Sequence, residues 1–344
     1  MENTEQIKKT RSKVYRRYNW ASITILLQLI VSNVAVMAAQ SIISISRVAA
    51  TGEKIPLSAD FNMVLTGIAN VLVNTLLAIF VLKITKTGKL SDSFKKPGFS
   101  VTEIVMVVFM CLGLTNINEL IVNSLSVVFD SSTKYIASQL GSGISSNSII
   151  LSVSTYLYIS ILGPIAEELL LRGCVLRLGS HVSPKVGVFA SALLFGILHG
   201  NITQFYNTFL MGLLLGYMTV KCRSIIPAII AHICNNSLAT VMTFIKPALG
   251  PDNYKTFNLI YTWAIIAVGI VCAFFIIRKY KMIDDAADKV PVNLPATEEE
   301  IEQAKTPSNP LKFKALFSTW AFWLVVVIGI AMFVLMAVAG MMMK

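Results

Sequence analysis

Three short segments of the chain carry ionisable or hydrogen-bonding side chains at helical spacings. They hold Glu167, Glu168 and Arg172, then Phe195 and His199, then His232 and Asn236. A glutamate can act as the general base that takes a proton from water, and an imidazole can share that water. Imidazole and carboxamide N–H groups can stabilise the oxyanion that forms when an amide carbonyl becomes tetrahedral. The pattern therefore predicts hydrolysis, with Glu167 and His199 activating water and with His232 and Asn236 as oxyanion donors.

The spacings also have purely structural interpretations. Glu168 and Arg172 are four residues apart, so they can form an ion pair on one helix face. Glu167 is rotated by about 100° from Glu168 and needs a partner from another helix. A lone histidine such as His199 is often a hydrogen-bonded core residue, and two polar groups four apart, as at His232, often join helices. Counted along each helix, however, the three segments lie roughly 13–21 Å from the cytoplasmic end, within one layer, which favours a shared site.

The elements that must position these residues are membrane-spanning helices. The chain of 344 residues is 55% hydrophobic and 14% charged, with a mean hydropathy of +0.70. Helices of about 20 apolar residues cross a bilayer. Apolar segments occur at about 20–45, 60–82, 101–128, 148–171, 185–200, 205–220, 225–245, 257–277 and 318–342. We predict an all-α, polytopic transmembrane helical bundle of eight or nine spans, with a core of four catalytic helices.

The net charge of +11 is distributed as in a membrane protein. Lys and Arg cluster between the apolar segments, without the basic and aromatic motif of a nucleic-acid-binding protein, so nucleic acid is not an expected partner. Alternating the spans places the lysine-rich loop at 83–96 and the loop with Arg172, Arg177 and Lys185 on the side of the basic N-terminus. By the positive-inside rule that side is cytoplasmic. We predict a multi-pass protein of the cell membrane with a cytoplasmic N-terminus and the lipid bilayer as its surroundings.

The composition changes along the chain and predicts six parts. They are a basic cytoplasmic tail at 1–19, N-terminal transmembrane helices at 20–147, the catalytic core at 148–245, an additional transmembrane helix at 246–281, a polar cytoplasmic linker at 282–317 and a last transmembrane helix at 318–344.

The motifs of the commoner hydrolases are missing from the sequence. It contains no GxSxG nucleophile motif and no HExxH zinc motif. Its five cysteines lie in or beside apolar segments and form no CxxC pair, which is typical of small buried hydrophobic residues. Catalysis without a metal is therefore the favoured prediction, while zinc bound by Glu167, His199 and His232 is the alternative.

The three segments resemble the signature of the CAAX protease and bacteriocin-processing family, also called the Abi family. Its pattern of EExxxR, FxxxH and HxxxN or HxxxD is present here in order. The resemblance implies four core helices around a water-filled cavity, water activated by Glu167 and His199, an oxyanion hole of His232 and Asn236, and support from Glu168 and Arg172. It implies an intramembrane endopeptidase acting on a membrane-associated protein or peptide, and it leaves the substrate open. The alternatives are a non-catalytic scaffold or bacteriocin-immunity protein that binds a peptide in the same cavity and, less favoured, a proton-coupled transporter.

Overall fold

The computed structural model describes residues 2–54, 57–124, 149–180, 183–284 and 309–342. These residues form helices and connecting turns, and no strand occurs among them. Ten helices are described: α1 (Glu2–Thr51), α2 (Ala59–Thr85), α3 (Val101–Ser124), α4 (Ile149–Ser180), α5 (Pro184–Leu198), α6 (Ile202–Cys222), α7 (Ile226–Leu249), α8 (Pro251–Tyr280), α9 (Asn309–Phe317) and α10 (Trp320–Met342). The predicted all-α class is confirmed.

Seven of these helices are long and apolar enough to cross a membrane, namely α1, α2, α3, α4, α7, α8 and α10. The predicted polytopic bundle is thus confirmed, and all nine predicted apolar segments lie mainly in helices. Helices α5 and α6 are not among the seven. Helix α5 has 15 residues and is roughly 22 Å long, which is less than the roughly 30 Å of the hydrocarbon core.

The helix ends of the four-helix core α4–α7 follow from local sequence. Ser183 precedes α5, and its hydroxyl accepts a hydrogen bond from the Val186 amide. Asn201 precedes α6 and accepts from the Gln204 amide in the same way. Such caps satisfy amide groups at the start of a helix that have no partner within it. The short α5 is therefore fixed at its start and is followed at once by α6.

Helix α4 changes its winding on both sides of the predicted catalytic glutamates. Wide π-helical turns occupy Tyr158–Leu162 and Leu171–Val175, and regular α-helix between them covers Gly163–Leu170. A methyl group on Gly163 would lie 2.8 Å from the Tyr158 carbonyl oxygen, so the first wide turn depends on glycine there. Turns of this kind often occur at functional sites, where they change the direction of side chains.

Glycines bring the core helices into close contact. A methyl group on Gly179 of α4 would lie 2.7 Å from the Gly187 Cα of α5, and one on Gly212 of α6 would lie 2.8 Å from the Ala192 Cα of α5. The fully buried Phe195 packs in the same core. Small residues at these contacts allow the backbones to approach closely, as is usual between membrane helices. Helix α5 is thereby fixed between α4 and α6.

Two arginines assigned by sequence to a cytoplasmic loop are buried instead. Arg177 donates hydrogen bonds to the Lys89 carbonyl oxygen and the Ser93 hydroxyl, in the segment after α2. Arg172 pairs with Glu168 inside the bundle. Both guanidinium groups are paired with oxygen atoms within the protein, so neither arginine marks a loop exposed to solvent.

The remaining predicted parts have the following places in the structure. Helix α1 runs through the predicted tail at 1–19 and into the first span without a break. Residues 285–308 of the predicted linker lie outside the described residues, and α9 occupies its last part. The additional and last transmembrane helices correspond to α8 and α10.

Candidate active site

The centre of the site is an ion pair within α4. Arg172 Nη1 lies 2.9 Å from Glu168 Oε1, and both side chains are completely buried. Arg172 Nη2 also donates to the Gly212 carbonyl oxygen of α6 at 3.3 Å. The guanidinium carbon lies 5.0 Å from the centre of the Phe195 ring, within range of a cation–π contact. The pair therefore joins three helices and positions the carboxylate of Glu168.

His232 of α7 lies between the two adjacent glutamates of α4. Its Nδ1 is 2.9 Å from Glu168 Oε1, and its Nε2 is 3.7 Å from Glu167 Oε2. The shorter distance is a hydrogen bond and the longer one is not. Because a carboxylate oxygen accepts, Nδ1 carries the proton in this contact. Glu168 thus sets the orientation of the imidazole, and Nε2 faces Glu167.

The two glutamates have opposite environments although they are adjacent in sequence. The side chain of Glu168 is fully buried, whereas that of Glu167 is 24% exposed. Successive helical residues differ by about 100° in direction, which places one on the packed face and the other on an open face. Glu167, for which the sequence predicts a partner from another helix, is opposed by His232. Only Glu167 of the two is accessible to water.

Glu167 opens into a cavity of about 350 Å³. Helices α1, α2, α4, α5 and α10 line it, with Gln28, Leu29, Ser32, Asn33, Val36, Thr66, Asn70, Val71, Asn74, Tyr158, Gly163, Ala166, Glu167, Leu198, His199 and Met332. The carboxylate predicted as the base and the histidine predicted to share its water therefore line one cavity. Its volume is typical of a small ligand site, so it can hold a short stretch of peptide.

His199 follows the last residue of α5, and its own backbone fixes its orientation. Its Nδ1 lies 3.0 Å from the Phe195 carbonyl oxygen. Since a carbonyl only accepts, this contact places the proton on Nδ1 and leaves Nε2 of the neutral ring as an acceptor. The Phe195 ring meets the His199 ring edge to face, with centres 5.0 Å apart. His199 thus presents one acceptor nitrogen at the cavity.

Asn236 lies behind the cavity wall in this structure. Its Nδ2 donates to the Ile159 carbonyl oxygen at 3.1 Å, and its Oδ1 accepts from Asn235 at 3.3 Å. Neither Asn236 nor His232 is among the residues that line the cavity. A carboxamide has two N–H groups, so the second remains available to donate. The role of Asn236 in an oxyanion hole stays a prediction.

The site contains a set of residues that the motif search missed. Amide and hydroxyl side chains of α1 and α2 line the same cavity, namely Gln28, Ser32, Thr66, Asn70 and Asn74, and Tyr158 adds a phenol from α4. They repeat every four residues within apolar helices, which is the signal that would have found them. A search for ionisable groups does not register uncharged amides.

The donor groups do not fit a zinc site. Among the described residues, no group of three or more His, Cys, Asp and Glu side chains is arranged to hold a metal ion. Glu167 Oε2 and His232 Nε2 lie 3.7 Å apart, but His199 does not complete a three-ligand group with them. The Nδ1 contacts of both histidines leave Nε2 as the only ring nitrogen that either could offer to a metal.

The fold and the site define a polytopic helical membrane protein in which His232 of α7 lies against both adjacent glutamates, and in which Glu167 and His199 line one cavity. Residues 149–238 match the family model described as "Type II CAAX prenyl endopeptidase Rce1-like". This segment holds all seven predicted site residues, and the match confirms there the resemblance to the CAAX protease and bacteriocin-processing family. Comparison with curated proteins and with solved structures gives no match.

Proposed function

We propose that this protein is an intramembrane endopeptidase, which hydrolyses a peptide bond of a membrane-associated protein or peptide. The observation that carries the proposal is the placement of Glu167: it opens into the cavity that His199 also lines, and its carboxylate faces His232. The family model matched by residues 149–238 is that of an endopeptidase, which supports the same class of reaction. The substrate is an extended segment small enough for a cavity of about 350 Å³.

In the proposed reaction, Glu167 takes a proton from a water molecule while the water oxygen attacks the carbonyl carbon of the substrate. The acceptor Nε2 of His199 holds the other hydrogen of this water and orients its lone pair. A C–O bond forms, and the carbonyl oxygen becomes an oxyanion. The C–N bond then breaks, and the proton held by Glu167 passes to the leaving nitrogen. The products are a carboxylic acid and an amine, and no other reactant is consumed.

His232 and Asn236 are proposed to stabilise the oxyanion. The two residues are one turn apart on α7, so a small movement of the substrate or the helix would bring both side chains to one oxygen. The donor of His232 is then Nε2–H of the doubly protonated ring, because its Nδ1–H is already bonded to Glu168. Glu168 and Arg172 act through His232 and are positioning residues, because they are buried behind it. Phe195 supports the arginine and both histidine rings.

Incubation of the purified protein in detergent with a library of membrane-anchored peptides tests this function. Mass spectrometry identifies the products and the cleaved bond. We expect one cleavage pattern, defined by the residues on each side of the bond. The contrary outcome is that no products form, while the cellular phenotype that depends on this protein survives both Glu167→Gln and His199→Ala. That result would support the scaffold or immunity alternative.

We propose that the reaction uses no metal. A chelator added during purification and assay should change the cleavage rate by less than about twofold, because the chain's own groups supply the base and the oxyanion donors. The measurement compares rates with chelator, without it, and with zinc added back. Loss of cleavage with chelator and recovery with zinc would contradict the metal-free mechanism.

We propose that the protein lies in the cell membrane with its N-terminus in the cytoplasm. The support is the basic first part of α1, at 2–19, and the lysine-rich segment 83–96 at and after the end of α2, which the positive-inside rule assigns to one side. A reporter that is active only in the cytoplasm, fused to the N-terminus or inserted near Lys95, should give a signal. The same reporter inserted near Lys54 should not, and a signal there alone would reverse the orientation.

A further inference from the structure

The cavity has a polar wall that comes from outside the segment matched by the family model. Gln28 and Ser32 belong to α1, and Asn70 and Asn74 belong to α2. Each pair is separated by four residues and so occupies one face of its helix. Both helices are apolar enough to cross a membrane, and polar residues are costly in such helices unless they have a partner. The wall therefore needs an explanation.

Part of the wall joins helices. The Ser32 hydroxyl donates to Asn70 Oδ1, and Asn70 Nδ2 donates to the Tyr158 hydroxyl at 3.3 Å. A methyl group on Gly67 would lie 2.6 Å from the Tyr158 ring, so glycine there allows the ring to pack on α2. Asn70 thus links α1, α2 and α4, and these hydrogen bonds account for its presence in an apolar helix.

Two carboxamides of the wall keep oxygen atoms without a partner. Gln28 is 6% exposed and Asn74 is 3% exposed, and the Oε1 and Oδ1 atoms have no hydrogen bond. The contact from Gln28 Nε2 to Asn70 Oδ1, at 3.5 Å, is at the limit of a hydrogen bond. Buried carbonyl oxygens of this kind are unfavourable unless a ligand pairs with them. Since both residues line the cavity, a ligand in it would be their partner.

The chemistry of the lining indicates the class of ligand. Among the described residues, no Lys or Arg lines the cavity, which disfavours a free carboxylate or a phosphate as its ligand. A carboxamide both donates and accepts, as a peptide group does. Apolar Leu29, Val71 and Met332 line the same cavity and can contact the side chains of a peptide.

We propose that Gln28 and Asn74 bind the backbone of an extended, uncharged peptide segment beside the bond that Glu167 attacks. This inference rests on the proposed peptidase function for its substrate class. Inside a membrane a peptide needs partners for its N–H and C=O groups, and this wall supplies them independently of the peptide's side chains. Binding energy at the wall also holds the scissile bond at the cavity end that contains Glu167 and His199.

The experiment measures binding and cleavage separately. A fluorescent, lipid-anchored, uncharged octapeptide is titrated into protein carrying Glu167→Gln, with and without Asn74→Leu or Gln28→Leu. We expect each wall variant to weaken Kd by about three- to tenfold, the effect of one hydrogen bond. In protein with Glu167 intact, KM should rise by the same factor with kcat unchanged. Asn116→Leu is the matched control, because Asn116 is a buried asparagine of α3 that does not line the cavity.

Octapeptides in which one amide is replaced by an ester make the test specific. An ester lacks the N–H group, so it should weaken binding to the parent protein and have no further effect in the variant that has lost the matching carboxamide. The proposal would be overturned if the ester weakened binding equally in the Glu167→Gln protein and in both wall variants, or if neither wall variant changed Kd. It would also be overturned if the Glu167→Gln protein did not bind the octapeptide. If the wall variants weaken Kd but no cleavage occurs, the peptide-binding role of the wall is supported and the peptidase function is rejected. If cleavage occurs but the wall variants leave Kd unchanged, the peptidase function is supported and the role of the wall is rejected.

Discussion

Replacement of Glu167 by glutamine should reduce peptide hydrolysis by about 10²–10⁴-fold, the range attributed to a general base. The carboxylate of Glu167 lines the cavity and can accept a proton from water. Glutamine keeps the size of the side chain and can form hydrogen bonds, but it does not take up that proton. The measurement is the rate of product formation by mass spectrometry on a peptide that the wild type cleaves. Peptide binding should persist, since the polar side chains of α1 and α2 that are proposed to bind the peptide are unchanged.

The control for this variant is Glu119→Gln. Glu119 belongs to another membrane helix, α3, and lies on its exposed side, away from the cavity. This change should leave the rate within about twofold, and both variants should elute as folded protein in detergent. A Glu167→Gln protein as active as the wild type would remove the proposed base and leave the cavity without a mechanism.

Replacement of Arg172 by methionine should destabilise the protein by about 3–5 kcal/mol, the cost of removing one partner of a buried ion pair. Glu168 has no exposed surface and would keep only His232 as a polar partner. The Gly212 carbonyl oxygen would also lose its donor. The free energy of unfolding is measured in detergent, and the expected result is a lower midpoint together with weaker cleavage, because Glu168 orients His232.

A double-mutant cycle distinguishes the ion pair from a simple loss of packing. Adding Glu168→Gln to Arg172→Met removes the unpaired buried charge and should recover a large part of the stability. Arg278→Met is the surface control, since Arg278 is exposed on α8, and should change the free energy of unfolding by less than about 0.5 kcal/mol. Stability equal to that of the wild type in Arg172→Met would contradict the role assigned to the pair.

Much of the architecture is predictable from hydropathy, because a membrane helix needs a long apolar stretch. The predicted spans at 185–200 and 205–220 correspond to the shorter α5 and the less apolar α6, which are not among the seven described helices that are long and apolar enough to cross a membrane. Charge counting also has a limit, since it cannot distinguish an arginine in a loop from one buried in the bundle. Arg177 shows this: its partners are backbone and hydroxyl oxygens from a distant segment of the chain.

The site is predictable where helical spacing alone determines contact. Glu168 and Arg172 form the ion pair that their separation by four residues favours. The contact of His232 with both glutamates requires tertiary structure, because it depends on how α7 packs against α4. The wide turns of α4 are not visible in its sequence pattern either. Gln28 and Asn74 are not indicated by a pattern of ionisable residues, because carboxamides carry no charge.

The origin of the cavity walls has a consequence for how specificity can change. The proposed acid–base groups belong to the segment 149–238, while much of the polar cavity wall belongs to α1 and α2. Substitutions of apolar lining residues of these two helices, such as Leu29 and Val71, should therefore alter which peptide side chains are accepted without touching the groups proposed to activate water. Conversely, a fragment restricted to residues 149–238 would keep the motifs but lose the cavity walls that α1, α2 and α10 contribute. Exchange of the first two helices between relatives is thus a way to transfer substrate preference as a module.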